Sequence, residues 1–336
     1  MNAKIKNIYY YLPKRLVTNK DLIAENPMWD LSSVAKNTGV EQRYFAEEGE
    51  TALDLSVGAC KKFFKESGVE PLQIDCILYC SQTHDYVMPG NSALLHRHFD
   101  FRMDVMAFDI TLACSGYVYA LTIAKSLIAS SVVRNVIIVT ADTYSKLIHK
   151  RDRSTRSLFG DAASVTYLVA CNDEQGIIAQ SLATEGKFYK KFYVPAGGFR
   201  NPKSESTSQD YIDNAGNMRS DENILMDGVG IWNFIRSKVP EHLFNFLDSR
   251  QLKIKDIDLF VFHQASALTL DSLQKALKIP DERMFRNIHK YGNTVSSSIP
   301  LALSEAIHEG YIMKGNLILV SGFGVGLSYG SALIQF

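Results

Sequence analysis

The chain has no net charge: 36 Lys and Arg are matched by 36 Asp and Glu. No bulk basic field therefore exists to hold nucleic acid or an anionic membrane surface. No apolar run approaches the roughly 20 residues of a membrane-spanning helix. Met1 to Pro13 lacks the long apolar core and small-residue cleavage site of a secretory signal. Cysteine is sparse: Cys60, Cys76, Cys80, Cys114 and Cys171 are odd in number and show no zinc spacing. That usage argues against a disulfide framework and suits a reducing cytoplasm. No P-loop and no Gly-x-Ser-x-Gly elbow occur. The expectation is a soluble, cytoplasmic protein that neither binds nucleic acid nor inserts into membranes.

What is present is globular material, 46% hydrophobic and 21% charged over 336 residues, more than one single-core domain usually holds. Strand-like runs lie at Asp75–Cys80, Asn135–Thr140, Ala163–Ala170, Ile257–Phe262, Asn316–Ser321 and Tyr329–Ile334. Helical patterns lie at Thr51–Ser67, Gly116–Ala129, Ile231–Asp248, Ser266–Leu277 and Ile299–Glu309. Runs apolar at consecutive positions suit strands buried on both faces, and their alternation with helices predicts layered α/β structure. Two passages repeat in order. Asp75 opens a strand ending in Cys80-Ser-Gln, and Asp258 opens one ending in His263-Gln-Ala. A distinctive residue at the start of a helix follows each, Cys114 and then Asn293, and an Asn-started apolar strand follows each helix. The spacing predicts two similar halves, 1–172 and 173–336. The polar stretch Arg200–Asn223 reads as a surface loop or insertion within the second half.

Cys114, in Leu-Ala-Cys-Ser-Gly, falls at the first turn of a helix, where amide dipoles favour a thiolate nucleophile; the competing reading is a small buried hydrophobe. That second reading is taken for the other four cysteines, which sit inside apolar patterns. His263 ends a strand, the place where α/β sheets present side chains to ligands. Asn293 lies in Tyr-Gly-Asn-Thr-Val-Ser-Ser-Ser-Ile-Pro, where Gly-Asn is also a common turn pair. The terminal run Ser321-Gly-Phe-Gly-Val-Gly-Leu-Ser-Tyr-Gly330 lacks dinucleotide-binding spacing and leads into a strand. His96 and His98 stand two apart on an expected helix and so face differently, which disfavours a metal site.

Taken in order along the chain, these motifs resemble the β-ketoacyl-ACP synthase III family of the thiolase superfamily. Thr38-Gly-Val-Glu-Gln-Arg43, Leu158-Phe-Gly-Asp-Ala-Ala163 and Leu225-Met-Asp-Gly228 match the same family. The resemblance implies the thiolase fold, a duplicated five-layered α/β/α/β/α arrangement. It also implies that Cys114 receives an acyl group from a CoA or acyl carrier thioester, with no bound cofactor and no metal. A malonyl-type thioester then loses CO₂, and the carbanion attacks the acyl group while His263 and Asn293 stabilise the enolate. The amides of Cys114 and Val325, the latter usually glycine in the family, would form a second oxyanion hole. Phe323 would shield the cysteine.

Departures from the family pattern bear on specificity. A tryptophan and an arginine that hold the CoA adenine in relatives correspond to Ser33 and Asn37, and a carrier-contacting arginine corresponds to Leu268. Arg43, Arg151, Arg153, Arg156 and Lys275 are the remaining candidates for CoA or carrier contact. Met88 would floor the acyl pocket of the neighbouring subunit in a homodimer, with the apolar strand Asn135–Thr140 expected near the seam. The departures suggest specialised lipid or secondary metabolism. Two alternatives stand beside condensation: acyl transfer from Cys114 to an alcohol or amine, and a non-catalytic partner subunit.

Overall fold

The computed structural model describes residues 1–172 and 175–336. The first sheet contains β1 (Asn2–Tyr11), β2 (Cys76–Cys80), β3 (Met106–Ile110), β4 (Asn135–Asp142) and β5 (Ala162–Cys171), in the order β1-β5-β4-β2-β3. The second contains β6 (Gly176–Thr184), β7 (Leu259–Phe262), β8 (Leu317–Gly324) and β9 (Ser328–Gln335), in the order β7-β8-β9-β6. Strand β2 pairs parallel to β3 and β4, as β7 does to β8, and the other pairs are antiparallel. The run β2-β4-β5-β1 thus has the directions and order of β7-β8-β9-β6. The counterpart of edge strand β3 shrinks to one parallel bridge, Phe260 to Met284.

The aspartates that open the two repeats do the same job. Asp75 Oδ2 accepts from Asn135 N at 2.8 Å, and Asp258 Oδ2 accepts from Leu317 N at 2.7 Å. Each carboxylate ties the start of one strand to the start of its parallel neighbour. The expected division between 172 and 173 abuts residues 173 and 174, which lie outside the described residues.

Helices fill three further layers. On the outer face of the first sheet lies α1 (Ala52–Ser67), whose Leu55, Ala59 and Phe63 pack on Ile77, Ile137 and Val165. Its start is set by a capping box between Thr51 and Asp54. The short α2 (Asn91–His96) ends before His98, so the two histidines do not share the expected helix. Between the sheets lie α3 (Gly116–Ala129) and α6 (Ser298–His308). Tyr117, Leu121, Ile128, Ile299 and Leu303 contact Leu78 and Ile138 on one side and Val261 and Val320 on the other. A helix apolar all round belongs in such a layer. On the outer face of the second sheet lie α4 (Gly228–Asp248) and α5 (Ala267–Leu277), which cover Phe260, Phe262 and Leu319.

Strand β4 is an interior strand, almost wholly buried, with helices of its own chain on both faces. Expected near the seam of a homodimer, it is not itself an edge that could pair with a neighbour; the edge strands of this sheet are β1 and β3. The polar stretch at 200–223 includes a ribbon, Tyr211–Ile212 against Met218–Arg219.

Gly116 lets α3 approach β2: a Cβ there would collide with Cys80 Sγ and lie 3.0 Å from Leu112 Cβ. Gly116→Ala should therefore destabilise the fold by about 1–3 kcal/mol through overpacking. Adding Cys80→Ala, which removes the sulfur, should recover part of that loss. Urea unfolding of the two variants checks this, and a double variant no more stable than the single one would refute it.

Candidate active site

Cys114 sits in the turn between β3 and α3, two residues ahead of the first helical residue. Ser115, its neighbour, is tied to the end of the chain by a Ser115 Oγ–Ser328 Oγ hydrogen bond of 2.7 Å. His263 follows β7 directly, and its backbone N–H donates to Ser321 O of β8 at 2.9 Å. Asn293 lies in the loop leading to α6. Its N–H donates to Leu158 O at 2.9 Å, and its carbonyl accepts from Gly160 N at 3.0 Å. The Leu158-Phe-Gly motif is therefore the strap that holds the asparagine.

Cys114, His263, Asn293 and Phe323 all line one cavity of about 520 Å³. The rings of His263 and Phe323 meet edge-on at 5.6 Å. Gly324, next along, comes so near that a Cβ there would lie 3.0 Å from Cys114 Sγ. Val325 lines an adjoining cavity of about 340 Å³ instead, with Tyr144, Phe192 and Ile224. Phe192 borders both spaces. Among the described residues, the Val325 N–H makes no hydrogen bond.

The donors in the cavity are set by what their other atoms bind. Asn293 Oδ1 accepts from Val295 N at 3.0 Å, which orients the amide and leaves Nδ2 without a partner among the described residues. His263 is buried, its Nδ1 has no hydrogen bond, and burial pushes its pKa down to about 3. The ring is therefore neutral. The Cys114 thiol is pushed well above its ordinary range, by burial first and then by the Asp142 carboxylate. Helix amides, the basis of the sequence expectation of a lowered thiol pKa, oppose this. Loss of hydration costs the anion more than the helix start returns.

Asp142 was not singled out from sequence, although an acid closing the apolar run Val136–Ala141 is a signal. It is fully buried at the end of β4, where burial raises its pKa to about 6. It accepts from Gln82 N at 2.9 Å and from Ser296 Oγ at 2.5 Å, so it joins the segment after β2 to the Asn293 loop. Other lining residues missed from sequence are Phe159, Phe192 and Trp232, and also Asp213, Asn217 and Arg219 from the polar stretch. That stretch forms part of the cavity wall, because Arg219 Nε reaches the buried Asp152 at 2.8 Å.

Two of the proposed phosphate-contacting arginines are structural. Arg43 is fully buried and donates to Ser157 O at 2.6 Å, Asn19 Oδ1 at 2.7 Å and Val17 O at 3.3 Å. Arg156 is buried beneath Phe45 and paired with Glu25 at 2.9 Å. Both guanidiniums are consumed by the chain itself and cannot meet a substrate phosphate. Arg151 is exposed and faces Asp210 at 3.6 Å, Arg153 is half-buried and Lys275 is exposed; none of the three lines the cavity. Asn37 and Leu268 do line it, and Ser33 does not. Met88 is 77% exposed, on the loop after β2, and lies outside the cavity of its own chain.

A cysteine at the start of a buried helix, with a neutral histidine and an oriented amide lining the same cavity on a duplicated α/β fold, is an arrangement suited to acyl-transfer chemistry. Comparison with known proteins agrees. Family models for 3-oxoacyl-[acyl-carrier-protein] synthase III match residues 108–186, and for its C-terminal part residues 247–336. Beta-ketoacyl-[acyl-carrier-protein] synthase III of Clostridium perfringens is 33% identical over 99% of both chains. A solved 3-oxoacyl-(acyl-carrier-protein) synthase III, 37% identical, superposes over the full length of both chains with a TM-score of 0.97. The Burkholderia xenovorans LB400 3-oxoacyl-(acyl-carrier protein) synthase, 32% identical, covers 99% of this chain and 94% of its own with a TM-score of 0.91. The chain belongs to the 3-oxoacyl-[acyl-carrier-protein] synthase III family and has the thiolase fold.

The Asp142 charge has a measurable consequence at the cysteine. Asp142→Asn should speed alkylation of Cys114 by iodoacetamide several-fold at pH 8. The difference should vanish below about pH 6, where the native carboxyl is itself protonated. Equal rates at pH 8 would show that the carboxylate has no hold on the thiol.

Proposed function

We propose that Cys114 attacks an acyl thioester of CoA or an acyl carrier, so that a bond forms from Sγ to the acyl carbon and the carrier thiol leaves with the cysteine proton. A malonyl-type thioester then loses CO₂. The enolate carbon attacks the acyl group, the Cys114 thiolate departs, and a β-ketoacyl thioester results. The chemistry uses side chains and backbone amides and calls on no metal or bound cofactor.

The observation that carries this reading is the state of the two donors. A neutral imidazole holds one N–H to give, and an asparagine whose Oδ1 is engaged turns its Nδ2 to the cavity. Both suit negative charge developing on a thioester oxygen. Acyl transfer to an alcohol or amine would instead want His263 as a base, with a pKa near the working pH and a group to orient it. Its Nδ1 has no such partner. The N–H groups of Cys114 and Val325 would receive the acyl oxyanion, and Phe323 would keep water from the cysteine. The space lined by Tyr144, Phe192 and Ile224 would take the acyl chain.

The reading extends to a cytoplasmic homodimer in which the exposed Met88 enters the neighbour's acyl pocket, beside the open edge strand β3. Neutral Asn37 and apolar Leu268 on the cavity wall support a donor held differently from that of the housekeeping enzymes, and so a role in specialised lipid or secondary metabolism.

His263→Ala and Asn293→Ala should each abolish or sharply lower CO₂ release from malonyl thioesters while Cys114 still acylates, as read by intact mass. For Asn293→Ala the loss should be roughly 10²–10³-fold, the scale of one oxyanion donor. An acyl adduct persisting in Cys114→Ala, or product formed with no CO₂ released, would overturn the assignment.

Met88→Phe should shorten the preferred acyl chain in a competition among straight-chain donors. An unchanged chain-length profile would show that Met88 does not reach the pocket.

A further inference from the structure

Two cations beside the cavity are neutralised. Arg219 lies between Asp152 at 2.8 Å and Asp213 at 3.4 Å, and Lys191 is held by Asp227 at 2.9 Å. The short helix Ser32–Thr38 contributes Asn37, which carries no charge. The opposite wall differs. Trp232 of α4 lines the cavity between two partly exposed neighbours, Val229 and Leu268, where it opens to solvent. Its indole is fixed by an Nε1–H bond to Ser272 Oγ on α5, at 3.1 Å. One turn further along α4, the exposed Arg236 lies over that indole, 4.8 Å from the ring centroid. Among the described residues no carboxylate stands within ion-pair distance of it. Lys275, three residues beyond Ser272 on the facing helix, is exposed and likewise without an ion-pair partner.

We propose that Arg236, stacked on Trp232 and assisted by Lys275, binds the phosphate that joins the pantetheine arm of the donor thioester to its carrier. The proposal rests on the acyl-transfer reading of Cys114 and adds the residue that recognises the arm's outer end. A guanidinium resting on an aromatic face is already ordered, is weakly hydrated and presents a planar fork that matches phosphate oxygens. An exposed lysine alone supplies a hydrated point charge without that geometry. The indole anchored to α5 keeps the fork beside the opening, so the arm would meet the charge as it leaves the cavity. Because CoA and an acyl carrier both bear this phosphate, the site would serve either.

The test compares Cys114 acylation by one acyl group on pantetheine, phosphopantetheine, CoA and a carrier protein, in the wild type and in Arg236→Gln. Wild type should prefer acyl-phosphopantetheine to acyl-pantetheine by about tenfold in kcat/KM, mainly through KM, on the scale of one charge-assisted bond. Raising the salt should erode that preference. In Arg236→Gln the preference should fall close to unity, with acyl-CoA and acyl-carrier losing by a similar factor. Arg236→Lys should restore only part of it. A preference unchanged in Arg236→Gln, with Cys114 still acylated, would overturn this assignment and leave the acyl-transfer reading standing. Equal loss for the phosphorylated and phosphate-free arms would overturn it too, as would loss confined to acyl-CoA or to the acyl-carrier, since the ligand would then be peculiar to that donor. No acylation of Cys114 by any donor would overturn the acyl-transfer reading itself.

Discussion

Enclosure of α3 and α6 between two sheets is the constraint on which the site depends. Both helices are packed on sheet residues above and below, so neither can slide without opening the central core. Cys114 lies just before one helix and Asn293 in the loop before the other. The spacing of the two residues is therefore set by the buried layer between the sheets rather than by the loops that carry them. His263 joins them because β7 runs parallel to β8 and ends where the Phe323-Gly324 segment passes the cysteine.

The same enclosure decides the electrostatics. Burial holds His263 neutral, raises the Cys114 thiol and keeps a carboxyl at Asp142 near the neutral range. Burial disfavours the charged forms of these groups, so they can act as neutral hydrogen-bond donors or through charge that develops only during reaction. Asp142 is tolerated because five donors from four residues surround it: the Ser296 hydroxyl and amide, the Gln82 amide, and the Ser81 and Thr83 hydroxyls. That cluster ties the segment after β2 and the end of β4 to the Asn293 loop, close enough to Cys114 to act on its thiol.

Outside the core, charge is distributed by use. Arg43 and Arg156 lock the ribbon Arg15–Thr18 and Gln42–Phe45, and the helix that follows its first strand, against the Ser157 turn. Arg219 folds the polar stretch into the cavity wall. Arg236, which has no ion-pair partner among the described residues, rests on an indole.

The amino-acid sequence by itself determined most of the apolar strands and the five long helices, and it singled out Cys114, His263 and Asn293, which the fold brings to one cavity. Apolar periodicity reports which faces of an element are buried, and the motifs keep their order along the chain. Gly116–Ala129 was legible to the residue for this reason. Strand β1 was not, since its alternating Lys, Asn and Tyr residues give a half-buried edge with no continuous apolar run. Only the tertiary structure decided the fate of the polar residues. Arg43 meets Ser157 across 114 positions, and Asp142 meets Ser296 across 154. Whether an arginine faces a substrate or a carbonyl of its own chain depends on which distant segment arrives beside it, and local pattern carries no record of that. The apolar strand Asn135–Thr140 makes the same point, because its burial was readable while the identity of what buries it, helices of its own chain, was not.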